Sequence, residues 1–119
     1  MNANTIETVN RKMTELAAEL TMMLEVAELN RKNAERQAVQ AGHVFERFEA
    51  MYEFFEGIPS FESDYNTAAE VNDRAAARYQ MACYEVDSIA SAINHLREAT
   101  EGLESLEVAA DRLGVRWSK

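Results

Sequence analysis

Proline, glycine and cysteine are all scarce in this chain, and each shortage excludes something. A single proline in 119 residues leaves almost no position at which helix is forbidden. The four glycines, at 42, 57, 102 and 114, are scattered, so there is no glycine-rich loop to cradle a phosphate and no dinucleotide-binding fingerprint. One cysteine, Cys83, excludes an internal disulfide and a multi-cysteine zinc site. No apolar run reaches the ~18 residues of a membrane span. The opening segment MNANTIETVNRK has no basic stretch followed by an apolar one, which predicts no signal peptide and a cytoplasmic location.

Positive charge is also in short supply. Twelve Lys and Arg face 21 Asp and Glu, a formal charge of −9. A field of that sign repels nucleic acid and anionic lipid, so direct binding to either is not expected. It suits a basic protein partner, or solubility alone.

What the chain does contain is helix formers: Ala, Glu, Leu, Arg and Met are common, and hydrophobic residues make up 47%. From Ile6 the apolar pattern repeats in sevens. The a positions are Ile6, Met13, Leu20, Ala27, Ala34, Ala41, Phe48 and Phe55. The d positions are Val9, Leu16, Met23, Asn30, Gln37, Val44 and Met51. All but Asn30 and Gln37 are apolar, a period that no strand shares. Ala17, Leu24, Ala38, Phe45 and Tyr52 add an e column, so the face is wider than a two-stranded seam and fits a helix with more than one neighbour.

These signals predict a first helix over about residues 5–56, with Asn4 as its cap and Glu7 three residues on. A turn over 57–60 follows, with Gly57 closing the helix and Pro59 stopping it. Ser60 is then expected to cap a second helix over about 61–101. Its stripe is Phe61, Tyr65, Ala68, Asn72, Ala75, Tyr79, Ala82, Val86, Ile89, Ile93, Leu96, Thr100 and Leu103, flanked by the small residues Ala69, Ala76, Cys83 and Ala90. The register slips after Gly102, to Leu103, Leu106, Ala110, Leu113 and Trp117. That slip predicts a kink or a separate short helix over about 103–115.

The expected fold is therefore all-α: one helical domain over residues 1–119, a long antiparallel hairpin of coiled-coil type. Residues of the two helices should pair when their numbers add to about 117, which sets Phe55 against Phe61 and Tyr65, and Leu20 against Leu96. The basic band Arg31, Lys32 and Arg36 would lie beside Glu85 and Asp87. A lone hairpin leaves both wide stripes wet, so a homodimer completing a four-helix bundle is expected, through Leu20, Met23, Leu24, Ala27, Ile89, Ile93 and Leu96.

Catalytic and metal-binding constellations are not found. His43 and His95 fall at outward positions and no acid lies on either seam, so the Glu-x-x-His pairs of a carboxylate-bridged metal bundle are missing. Cys83 sits on the alanine stripe, where a small structural thiol is the ordinary reading. No cofactor and no enzymatic activity are expected. Asn30, Gln37, Asn72 and Thr100 interrupt the apolar seams and read as register-setting polar positions.

Residues 45–65 hold seven of the ten aromatics, and six acids against the one base Arg47. Most of the rings lie on the inward stripe and should seal the hairpin's end. Phe54 and Ile58 are harder to bury. With Glu46, Glu49, Glu53, Glu56, Glu62 and Asp64 around them, they form a candidate docking tip for a basic protein partner. The functional expectation is a non-enzymatic interaction and assembly module. The alternative is a small acidic inhibitor that imitates nucleic-acid charge on another protein. The anti-restriction and anti-CRISPR proteins of phages are similar to it in composition alone.

Overall fold

The computed structural model describes residues 3–113. The protein is all-α, an antiparallel hairpin of two long helices, α1 (Ala3–Phe55) and α2 (Pro59–Arg112), joined by a tight turn. Helix α1 already includes Ala3, so Asn4 lies in its first turn rather than at a cap. Helix α2 passes through Gly102 without interruption, and the separate helix expected beyond it does not form. One interior glycine costs only about 1 kcal/mol relative to alanine, too little to break a helix supported on both sides. Gly114 and Trp117 lie outside the described residues.

The turn works as its residue types require, with one difference. Gly57 has φ +87, a left-handed conformation that side-chain-bearing residues rarely adopt. The Ile58 amide donates to the Phe55 carbonyl (3.1 Å) and the Glu62 amide to the Ile58 carbonyl (3.0 Å). Pro59 is thus the first residue of α2, where its missing N–H is no loss, and Ser60 is inside the helix rather than at its cap. In place of a serine cap, the Glu62 carboxylate reaches back and accepts the Gly57 amide at 3.1 Å.

The chain forms two compact units, residues 26–86 and residues 1–25 with 87–119; the boundary falls inside both helices rather than at a linker. In the first unit, Ala27, Ala68, Ala75 and Val86 are buried. Its closed end is a ring cluster: Phe61 lies 5.5 Å from Phe55, 5.8 Å from Phe48 and 6.4 Å from Tyr52, while Tyr65 lies 5.4 Å from Phe45 and 5.1 Å from Tyr52. Tilted rings at these separations add about 0.5–1.5 kcal/mol per pair beyond their buried area. Phe55 meets Phe61 and Tyr52 meets Tyr65, as the expected register sets them, while Phe48 also reaches Phe61, about two helical turns from its expected partner. The large rings, rather than a uniform spacing, decide the alignment there. In the second unit, Ile6 and Ile89 are buried. Met13, Leu20, Leu24, Ile93 and Leu96 are half-buried.

Every member of the α2 stripe from Phe61 to Leu103 is buried or half-buried. Helix α1 differs from expectation. Its covered columns are a and e: Ile6, Asn10, Met13, Ala17, Leu20 and Leu24, continuing to Tyr52. The d column is exposed from Val9 to Met51. Midway along α1, Ala27, Ala34, Ala38 and Ala41 fall in these two columns, where small side chains let a second helix come close. Phe55, the last a position, is 42% exposed.

Of the polar residues in the seam, Thr100 is satisfied locally. The Thr100 hydroxyl donates to the Leu96 carbonyl at 2.9 Å. An added Cβ at Gly42 would meet the Asn72 side-chain oxygen at 3.7 Å, so Asn72 packs against a glycine. Among the described residues no buried side-chain polar atom lacks a partner. Asn30 and Gln37, by contrast, are exposed and set no register within the hairpin.

Candidate functional site

Two surfaces of the unit formed by residues 26–86 carry chemistry: the tip at the turn, and a groove beside the ring cluster.

At the tip, Glu46, Glu49, Glu53 and Glu56 are all exposed. Phe54 is 79% exposed and Ile58 43%. Phe45, Phe48, Tyr52, Phe61 and Tyr65 are turned inward, so the aromatic content of the tip surface reduces to Phe54 and part of Phe55. Glu62 belongs to the turn's own structure, because its carboxylate holds the Gly57 amide. Asp64 is exposed but lies on the groove.

The groove runs between the helices with a volume of about 690 Å³. Its apolar floor is Ala41, Val44, Phe48, Ala68, Val71 and Ala75. Gln37, Asp64 and Arg78 are among its polar margins, with Arg74, which is paired to Glu70 at 3.3 Å. That pair, one turn apart and largely exposed, adds at most a few tenths of a kcal/mol. The groove was not anticipated from the sequence. Val71 lies off the α2 stripe and is 48% exposed in the structure. No ion pair joins Arg31, Lys32 or Arg36 to Glu85 among the described residues.

The expected oligomer residues are mostly used inside the chain. Ala27 and Ile89 are buried within the chain, at 1% and 8% exposure. Leu20, Leu24, Ile93 and Leu96 are half-buried, and Met23 alone is open, at 52%. The apolar surface left over includes the d column of α1, at 37–52% exposure, beside more open side chains such as Met22, Val26 and Leu29 at 59–68%.

No family model matches the chain, and no curated protein or solved structure matches it either.

Tyr79 has its hydroxyl held above the usual phenol range, first by a hydrogen bond with the Cys83 thiol, then by the negative charge of Cys83 and Glu35, against an opposing effect of Arg31. His43 and His95 are exposed, and among the described residues no group of three His, Cys, Asp or Glu side chains is placed to hold a metal ion. No helix is long and apolar enough to cross a membrane among the described residues.

Proposed function

We propose that this protein is an assembly and interaction module: a helical hairpin that associates through the apolar face of α1 and presents an acidic tip to a protein partner. The observation that carries this reading is the open d column. Val9, Leu16, Met23, Val44 and Met51 recur at heptad spacing and remain 37–52% exposed. A single exposed leucine is ordinary on a protein surface, but a periodic line of them is a seam without its opposing helix. The tip supports the second part: Glu46, Glu49, Glu53 and Glu56 are exposed there together with one open aromatic ring, Phe54, a composition suited to a basic partner surface.

Sedimentation equilibrium of the full chain tests the assembly part. An oligomer is expected whose stability changes little between low and high salt, because the association is apolar. Leu16→Asp should dissociate it while leaving the helical signal intact, since Leu16 is 46% exposed within one chain. A wild-type monomer throughout the accessible concentration range would refute the reading. The charge-imitation alternative draws on the open carboxylates at the tip. It predicts capture of a basic partner that is lost steeply with salt.

A further inference from the structure

The d column of α1 has a second property. Its two amides, Asn30 and Gln37, are neighbours in the column, and apolar residues continue on both sides. The column is therefore self-complementary when one copy is reversed against another. We propose that a second copy of this chain packs antiparallel along the α1 d column, in the register that sets Asn30 opposite the partner's Gln37. The inference rests on the assembly reading above and specifies its partner and geometry.

In that register Met23 faces the partner's Val44 and Leu16 faces the partner's Met51, so apolar meets apolar and amide meets amide. The two symmetric amide pairs can satisfy each other's donors and acceptors, which is how a polar position at a helical seam selects one alignment. Slipping one heptad, to Asn30 opposite the partner's Asn30, would set Met23 against the partner's Gln37. An amide would then face a thioether that offers only a weak acceptor.

Charge makes the same choice. The g column lies beside d on the side away from a, and its charged members are Lys12, Glu19 and Arg47. In the proposed register Glu19 comes opposite the partner's Arg47, twice by symmetry. In the slipped register Lys12 would come opposite the partner's Arg47, a like-charge contact. A parallel pair would also match the d residues, each with itself. It would, however, bring the two acidic tips together, each with six acids to one base over residues 45–65. The antiparallel pair instead lays the Arg11 and Lys12 segment of one copy near the tip of the other.

Two measurements on the full chain test this. The first uses a Cys83→Ser background, with Met23→Cys and Val44→Cys variants made separately and then mixed under oxidation. A disulfide joining the two different variants is expected in the mixture, with no disulfide-linked dimer of either variant alone; cross-linking of each variant with itself, without the mixed dimer, would overturn the register. The second is a charge swap. Glu19→Arg alone should weaken the dimer by about 2- to 30-fold, reckoned from two exposed ion pairs, and Glu19→Arg with Arg47→Glu should restore it. A dimer that persists without rescue by the swap overturns the antiparallel register and leaves assembly standing. A wild-type monomer overturns assembly and register together.

Discussion

Replacing Gly102 by alanine separates two descriptions of α2. If the helix is continuous there, as observed, alanine removes the backbone entropy penalty of an interior helical glycine, a gain of about 0.8–1 kcal/mol. Nothing opposes the gain, because an added Cβ at this position meets no atom within 4 Å. If glycine instead marks a break with a left-handed backbone, alanine would cost about 1–2 kcal/mol. The sign therefore decides. Gly57→Ala is the internal control: its φ of +87 also leaves open space for a Cβ, yet the backbone itself disfavours the substitution by about 1–2 kcal/mol. Urea unfolding followed by circular dichroism reads both. With a slope of about 1–3 kcal/mol per molar, Gly102→Ala should raise the midpoint by about 0.3–1 M and Gly57→Ala should lower it by a similar or larger amount. A lowered midpoint for Gly102→Ala would refute the continuous helix. An unchanged or raised one for Gly57→Ala would refute the turn.

Other consequences follow from single observations. Phe61→Ala removes the ring that touches Phe48, Tyr52, Phe55 and Tyr65, and should cost about 2–4 kcal/mol by the same urea assay, discounted because the site is half-buried. Gly42→Ala should be neutral to stabilising by up to about 1 kcal/mol, since its Cβ makes only ordinary contact with Asn72; a clear loss would mean the helices approach more closely there. Reversing Glu49, Glu53 and Glu56 to lysine should leave helicity unchanged and abolish binding to a basic partner, and binding that survives the reversal would remove the tip from the function. Tyr79 holds its proton more tightly in the folded chain. Its contribution to stability is therefore present below the ordinary phenol value and is lost as pH rises through the higher folded one. Ultraviolet titration should show a tyrosinate step above the usual range that Tyr79→Phe deletes and Cys83→Ala moves down; a step unaffected by either would refute the hydrogen-bond explanation.

Much of this molecule is local and so was readable from its residues. Helix follows from composition and from the scarcity of proline and glycine. The place of the turn follows from Gly57 and Pro59, because a left-handed residue and a proline are governed by backbone sterics that need no tertiary partner, although Pro59 opens α2, beyond its expected role of stopping α1. The α2 stripe, Phe61 to Leu103, was legible because alternating steps of four and three leave only one face to bury. Helix α1 offered three apolar columns, and nothing local says which two a neighbour will cover. Only packing chose a and e and left d open. The same nonlocal fit set the pairing of the ring cluster, carried α2 through Gly102, formed the groove beside Val71, and turned Glu62 from a candidate docking acid into a ligand of the Gly57 amide.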